Sequence, residues 1–228
     1  MKHDIILHHS SKSGINGQIA PLSRDKCDFG KGFYLGTMEE QTQALVISDK
    51  YQDPIYYRIK FKLSEIPDDK ILTLKDMEWA YFVLYNRREL EELKGTSFYE
   101  YYSHLADNKD LIIGPIADDN MRSALLDFED GYITDVALKN CLKSVNYGTQ
   151  YVAKTEFACS KCIILESSYV KREMDIEKIR QFSEQRKAEG NAIYQSIRRT
   201  NRRDGYYIDE LKEKALENSL TDIFLDFQ

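Results

Sequence analysis

Three side chains in the sequence have the types that a ligand-binding site needs. His9 follows a short apolar segment and precedes a Ser-Lys-Ser loop, so its imidazole can hydrogen-bond a sugar hydroxyl. Tyr34 follows the glycines Gly30 and Gly32, and its flat ring can stack on a heteroaromatic group. Gln150 stands at the start of a late apolar segment. Each has an ordinary interpretation as a core or edge-strand residue, and it is their combination that predicts a site.

Short strands must position these side chains. The first predicted strand covers residues 4–9, and it ends at His9. The stretch Asp28–Leu35 places two glycines before an aromatic run, so a backbone free to take positive φ leads directly into a short buried strand. Residues 150–155 form another predicted strand. We expect the first two stretches to face each other, with Tyr34 across from His9.

Other patterns predict further strands and helices around them. Strict alternation predicts a half-buried strand over residues 55–63. Thr37 and Glu40 match a capping box for a helix that runs to about Ser48. Asp76 is predicted to cap a second helix, and residues 99–102 are predicted to lie in a peripheral helix or loop.

The order of these elements predicts an α+β fold in two parts. Residues 1–166 form a β-rich body, and residues 167–228 form a helical C-terminal extension. The extension has amphipathic helical patterns over 175–200 and 208–218, and no strand pattern recurs in it. We expect these helices to pack on the body or on a partner chain, including a second copy of this one.

Composition limits the classes of partner. The 228 residues are 42% hydrophobic and carry a formal net charge of −6, so the chain can bury a core and its overall field repels a phosphate backbone. Nucleic acid is therefore not favoured as a partner, although a local basic patch would allow it. The N-terminus lacks the apolar region of a signal peptide and no 18-residue apolar run occurs, which predicts a cytoplasmic protein without a membrane segment.

Neither the cysteines nor the glycines match a familiar catalytic motif. The four cysteines are predicted to be reduced thiols, and the pair Cys159 and Cys162 has no second CxxC or nearby histidine to complete a metal site. We therefore predict no metal. The sequence contains no Walker P-loop, HExxH or G-x-S-x-G, and Gly30-x-Gly32 lacks the third glycine of a dinucleotide fingerprint.

Three stretches resemble successive motifs of one protein family. They are Leu7–Ser11 (LHHSS), Asp28–Leu35 (DFGKGFYL) and Glu40–Ala44 (EQTQA). A bacterial and phage family of uncharacterised proteins with an ADP-ribosyltransferase-like fold has L-Y-H-G-S, then D-F-G-x-G-F-Y-L, and then a helix that bears Q-A. The resemblance covers about residues 4–166. It is also carried by three later stretches, Glu78–Arg87, Asp110–Asp119 and Gln150–Glu156.

The resemblance implies a split, mostly antiparallel β core with flanking helices that holds NAD as a co-substrate in a cleft between two small sheets. By that resemblance His9 orients the ribose, and main chain beside it at Ser10 binds the nicotinamide carboxamide. Tyr34 stacks on the nicotinamide ring, and Gly32 belongs to the turn that presents it. Gln150 stands where the wider superfamily usually has a glutamate that contacts the ribose and stabilises the developing cation.

The sequence departs from the family pattern at this last position. Gln150 can hold a ribose hydroxyl but supplies no negative charge. Asp118, Asp119 and Glu156 are the candidate carboxylates for that role, and strand alternation alone does not decide which of them turns inward. Asp118 and Asp119 also have a simpler interpretation as helix caps. If no carboxylate reaches the ribose, the site is expected to bind NAD without turning it over well.

The resemblance predicts an NAD-dependent ADP-ribosyltransferase that acts as a toxin or defence factor. It would move ADP-ribose to a macromolecular acceptor, unidentified from the sequence, and release nicotinamide. Cleavage of the nicotinamide glycosidic bond passes through an oxocarbenium-like state, which needs positioning and negative electrostatics more than a strong nucleophile. The alternatives are an NAD glycohydrolase and a non-catalytic nucleotide-binding or interaction module.

Overall fold

The computed structural model describes residues 2–47, 53–88, 90–116, 119–144, 148–170, 173–200 and 204–217. Over these residues the chain forms an α+β fold built on one seven-stranded sheet. The strands are β1 (Ile5–Ser11), β2 (Phe33–Gly36), β3 (Ile55–Phe61), β4 (Ile71–Thr73), β5 (Leu111–Pro115), β6 (Thr149–Ala153) and β7 (Cys162–Tyr169). The α-helices of the described residues are α1 (Glu39–Ala44), α2 (Asp76–Arg87), α3 (Ser97–His104), α4 (Asp119–Glu129), α5 (Asp135–Ser144), α6 (Glu156–Cys159), α7 (Glu173–Thr200) and α8 (Ile208–Glu217).

The strands lie in the order β4-β5-β6-β2-β1-β3-β7, and every neighbouring pair is antiparallel except β4 with β5. The resemblance implied two small sheets, whereas these strands form one. The junction between β1 and β2 nevertheless rests on a single paired position, His8 with Gly36. β1 pairs with β3 along its whole length. The sheet is therefore least continuous beside His9.

Alternation along the strands gives the sheet two chemically different faces. Register places His8, Tyr34 and Gln150 on one face, which we call the first face. His9 lies on the other, the second face, because it is the neighbour of His8 in the same strand. The assignment follows from directly paired residues, whose side chains share a face.

Hydrophobic clusters cover both faces. A large cluster on the first face includes Trp79 of α2 and Val152 of β6. A small cluster on the same face packs α1 and α7 against β3, and it consists of Val46, Tyr56, Val170 and Ile179. The second-face cluster includes Leu7 and Leu35, and α6 closes it. Because the large and small clusters lie over different strands of the first face, the β1–β2 junction falls between them.

β1 is longer than its sequence pattern predicts. It continues to Ser11 because Ser10 and Ser11 pair with Tyr56 and Ile55 of β3. His9 therefore lies inside a strand and not at its end, where the apolar pattern alone placed it.

The capping prediction for α1 is wrong. α1 begins at Glu39, and its N-cap is Met38, which makes no side-chain cap. The Thr37 hydroxyl instead accepts a hydrogen bond from the amide of Thr149 at 2.9 Å, so it joins the end of β2 to β6. The helix ends at Ala44, and the predicted end at Ser48 lies outside the described residues.

The helices after β7 pack into the body. Tyr194 of α7 and Leu211 of α8 are buried in the same large cluster as Trp79. β7 runs to Tyr169, so a boundary at residue 166 falls inside a strand. None of the described helices is long and apolar enough to span a membrane.

Candidate functional site

His9 is held in one tautomer by its surroundings. Its Nδ1 lies 2.8 Å from the main-chain oxygen of Tyr34. A carbonyl oxygen only accepts, so Nδ1 carries the hydrogen and donates it. Burial lowers the pKa of His9, and the hydrogen bond to Tyr34 opposes that shift. The neutral imidazole keeps its lone pair on Nε2, which can accept a hydrogen bond from a hydroxyl group.

The His9 ring fills the place where the β1–β2 ladder stops. The ladder consists of the His8–Gly36 pair, and one residue later the His9 side chain bonds the Tyr34 carbonyl. The ring centroid lies 4.5 Å from that of Phe33, which is on the second face of β2. A side chain thus continues the link between β1 and β2 where main-chain pairing ends.

Tyr34 uses its hydroxyl to hold the glycine loop. The hydroxyl donates to the carbonyl of Gly30 at 2.7 Å and accepts from the amide of Phe29 at 3.0 Å. Its ring packs against the large cluster. Burial raises the pKa of Tyr34 far above its ordinary value, so the hydroxyl is not an acid at physiological pH. The hydroxyl therefore holds the loop, and Tyr34 as a whole is partly buried.

Main-chain groups of Phe29, Gly30 and Gly32 in the glycine loop are hydrogen-bonded within the protein. The Gly32 amide donates to the Ser23 hydroxyl at 3.0 Å, and the Gly32 carbonyl accepts from the Ser23 amide at 3.1 Å. The Phe29 carbonyl accepts from the Lys154 ammonium at 2.5 Å. Such a loop does not present a row of free amides to a phosphate. Two of its main-chain groups, the Phe29 amide and the Gly30 carbonyl, instead bond the Tyr34 hydroxyl.

Gly32 is required by close packing. A Cβ at this position would lie 2.4 Å from Cγ1 of Val152 and 3.1 Å from the carbonyl oxygen of Ala153. Because both neighbours belong to β6, the glycine lets the start of β2 approach that strand. Gly32 therefore contributes to the site by position and not by ligand contact.

Gln150 is buried in β6, with 7% of its surface exposed. Its Nε2 donates to the carbonyl of Pro115 at 2.8 Å, and the same oxygen accepts from Nε1 of Trp79 at 3.0 Å. This gives Gln150 a structural task, since it ties the end of β5 to β6. The side-chain oxygen and the second amide hydrogen are left for a ligand.

The structure brings these three residues together only in part. Tyr34 and Gln150 share the first face, but His9 lies on the second face and meets Tyr34 through its main chain. His8 is the histidine on the face of Gln150, and Gly36 lies between them in the same row. A ligand that reaches both His9 and Gln150 must therefore lie where β1 and β2 separate.

Ser10 and Thr42 add hydroxyl groups at this place. The Ser10 hydroxyl donates to Oγ1 of Thr42 at 3.2 Å, and Thr42 is buried in α1. A Cβ at Gly36 would lie 2.9 Å from Cγ2 of Thr42, so the glycine lets α1 approach the sheet. Sequence reasoning missed Thr42. The only signal was its place inside the Glu40–Ala44 stretch that carries the resemblance.

The structure describes the side chain of only one of the three candidate carboxylates, Glu156. Asp118 and the side chain of Asp119 lie outside the described residues. Glu156 is exposed at the start of α6, beyond the end of β6, whereas Gln150 is near the beginning of that strand. The strand thus separates the two residues. Glu39, which the sequence did not single out, lies with Oε2 4.0 Å from Nδ1 of His8.

The cysteines are free thiols. Burial raises the pKa of Cys159 to about 11 and that of Cys162 to about 12, so both stay protonated at neutral pH. Cys159 packs in the second-face cluster. Within the described part of the chain, no group of three or more His, Cys, Asp or Glu residues has the arrangement of a metal site.

Comparison with known proteins identifies the family. A family model described as "Protein of unknown function (DUF3990)" matches residues 5–164, which include β1 to β6 and the start of β7. No curated protein and no solved structure matches the chain. The matched range covers well over half of the sequence and contains His9, Tyr34 and Gln150. The chain therefore belongs to the DUF3990 family of proteins of unknown function.

Proposed function

We propose that this protein is an NAD-dependent ADP-ribosyltransferase that moves ADP-ribose from NAD to a macromolecular acceptor and releases nicotinamide. The observation that supports it best is the hydrogen bond from His9 Nδ1 to the Tyr34 carbonyl. This contact joins the first two of the motifs that carry the resemblance to ADP-ribosyltransferase-like proteins. It also lies where β1 and β2 separate, which is the place that a cleft between two halves of a sheet requires.

The chemistry needs little from a nucleophile. The bond between ribose and nicotinamide breaks with its electrons moving to the ring nitrogen, and the sugar passes through an oxocarbenium-like state. His9 Nε2 has the lone pair needed to hold a ribose hydroxyl. The Tyr34 ring lies on the opposite face of the sheet, fixed in place by the hydroxyl's bonds to Gly30 and Phe29, and we propose that the nicotinamide ring reaches it through the gap between β1 and β2. Both residues act by positioning the sugar and the leaving group.

Gln150 favours a second candidate, a module that binds the nucleotide without transferring it. Its neutral amide supplies no charge to the developing cation, and it already donates to Pro115. Catalysis then depends on negative charge from another group. Glu39 is such a group, and it lies beside His8 on the first face. An NAD glycohydrolase is the enzymatic alternative, because water can replace the acceptor at the same cation.

Labelled NAD separates these possibilities. The purified full chain is incubated with NAD labelled in its adenosine half, with and without bacterial lysate, and nicotinamide release is measured in parallel. The proposal predicts nicotinamide release together with label on a macromolecular fraction. Free labelled ADP-ribose alone indicates a glycohydrolase. Binding of NAD without nicotinamide release indicates the non-catalytic module, and absence of NAD binding contradicts every form of the proposal.

A further inference from the structure

His8 belongs to a hydrogen-bonded chain on the first face of the sheet. Its Nδ1 lies 2.7 Å from the hydroxyl oxygen of Tyr56. The Tyr56 hydroxyl donates to Oε2 of Glu39 at 3.0 Å. Oε1 of Glu39 accepts from Nε2 of Gln43 at 3.0 Å, which fixes the carboxylate on α1. The chain therefore runs from a strand histidine through a strand tyrosine to a helix carboxylate.

The proton positions in this chain follow from the chemistry of its members. A carboxylate only accepts, so the single hydrogen of the Tyr56 hydroxyl is used on Glu39. Toward His8 the Tyr56 oxygen can therefore only accept a hydrogen bond. The donor is His8 Nδ1, which must carry a hydrogen. In the neutral imidazole this leaves Nε2 of His8 without a hydrogen. Tyr56 and Glu39 thus hold His8 in the tautomer of a base, as an acceptor on Nδ1 does in enzymes that use a histidine base.

The position of His8 in the sheet places it at the candidate site. His8, Gly36 and Gln150 lie in one row across β1, β2 and β6 on the first face. The middle residue is a glycine, and Thr42 of α1 packs over it, since a Cβ at Gly36 would lie 2.9 Å from Cγ2 of Thr42. Ser10, two residues after His8 in β1, lies on the same face, and its hydroxyl bonds the Thr42 hydroxyl of α1. The side chain of His8 is 16% exposed, so the ring is not fully covered.

We propose that His8 is the general base of the reaction, with Tyr56 and Glu39 as its positioning residues. The inference rests on the proposed function. As the hydroxyl of the acceptor or of water attacks the anomeric carbon of the ribose, Nε2 of His8 takes its proton and the O–H electrons form the new C–O bond. The bond to nicotinamide breaks, and its electrons neutralise the ring nitrogen. The imidazolium then loses its proton to solvent.

The charges around His8 set the pH range in which it acts. Burial lowers its pKa most strongly, and Arg58 of β3 lowers it further, whereas Glu39 and Glu40 of α1 raise it. Burial prevails, so the pKa of His8 lies below the ordinary histidine value. His8 is then unprotonated at neutral pH, and a base of this kind loses activity as the pH falls through its pKa.

Variants of the full chain test this assignment. His8→Asn keeps an amide donor near the position of Nδ1 and removes Nε2. We expect it to lower kcat for nicotinamide release by about 100-fold or more, to leave the KM for NAD within about threefold, and to abolish the loss of kcat at acid pH. His104→Asn is the matched control, because His104 is an exposed histidine on α3. This variant should have the wild-type kcat and the same loss of kcat at acid pH.

Tyr56→Phe tests the positioning residue without removing the base. It should lower kcat, because the base is no longer held by an acceptor. Since the base is still present, kcat should still fall at acid pH, but with a shifted midpoint. Wild-type kcat and an unchanged acid limb in His8→Asn would overturn the assignment of His8 while leaving the proposed function intact. Failure of the wild-type protein to release nicotinamide from NAD would overturn both. Near-UV circular dichroism of each variant separates these outcomes from misfolding.

Discussion

The adjacent histidines of β1 have different partners on opposite faces of one strand. His9 donates from Nδ1 to the Tyr34 carbonyl, and His8 lies with Nδ1 against the Tyr56 hydroxyl. Both arrangements leave Nε2 as the acceptor atom. Two neutral imidazoles are thus fixed within one dipeptide, one at the gap between β1 and β2 and one on the face of Gln150. This division of tasks follows from strand alternation.

The hydroxyl of Tyr34 is expected to stabilise the fold. Tyr34→Phe removes its bonds to Gly30 and Phe29 and leaves both main-chain groups without that partner. We predict a loss of about 1–3 kcal/mol in the free energy of unfolding. Denaturant titration followed by the fluorescence of Trp79 measures it, since Trp79 is the single tryptophan and is fully buried.

Tyr169→Phe is the control for that substitution. Tyr169 lies on β7 and is 67% exposed, so the loss of its hydroxyl should change the unfolding midpoint little. Equal midpoints for the Tyr34→Phe and Tyr169→Phe proteins would contradict the structural task given to the Tyr34 hydroxyl.

Some of these side chains could be found in the sequence and others could not. His9 and Tyr34 stand out because a histidine ends an apolar run and a tyrosine follows a glycine pair. The group His8, Tyr56 and Glu39 gives no local signal, since its members come from β1, β3 and α1 and meet only when the sheet forms. The faces of His8 and His9 also depend on register, which no single strand determines.

Among the elements, the strands were easier to predict than the ends of the helices. The alternation over residues 55–63 predicted β3, Ile55–Phe61, because Tyr57, Ile59 and Phe61 on one side of that strand are buried, whereas Arg58 and Lys60 on the other side are not. Tyr56 is the exception on that other side, since it is buried in the small cluster. The capping box at Thr37 failed because its hydroxyl bonds β6 instead of the helix. Tyr102 was predicted to be peripheral, yet it is fully buried, since α3 packs against α2.

The close approach of β2 to β6 depends on the absence of a side chain at Gly32. Gly32→Ala would press a methyl group against Val152 and against the main chain of Ala153. We predict a loss of about 1–3 kcal/mol in unfolding free energy, because the buried neighbours must move. Denaturant titration of the purified variant measures the loss.

Lys31→Ala is the comparison for this element. Lys31 is the preceding residue in the loop and is exposed, so its truncation should change the free energy of unfolding by no more than about 0.5 kcal/mol. If Gly32→Ala were as stable as Lys31→Ala, the packing of β2 on β6 would not need the glycine.

In the molecule as a whole, the C-terminal helices complete the core. The sequence predicts them as helices, but it does not show whether they pack against the body or against a partner chain. Tyr194, Ile208 and Leu211 are buried in the same large cluster as Trp79, so α7 and α8 cover part of the body. Amphipathic periodicity shows which face of a helix is apolar, but it does not identify the surface against which that face packs.

Two leucines of α8 test this packing. Leu211 is 4% exposed and Leu216 is 63% exposed on the same helix. Leu211→Ala should cost about 2–5 kcal/mol of unfolding free energy, because it opens a cavity in the large cluster. Leu216→Ala should change it by about 0.5 kcal/mol or less. Similar effects from the two substitutions would show that α8 does not contribute to the core in solution.

The proposed activity is tested by nicotinamide release from NAD, measured for the wild-type chain, His9→Ala and His104→Ala under the same conditions. We predict that the wild type and His104→Ala release nicotinamide at the same rate, and that His9→Ala is slower by about 100-fold because the ribose is no longer held. Calorimetric titration with NAD accompanies the measurement. Absence of NAD binding by the wild type, or release that is unchanged in His9→Ala, would contradict the account.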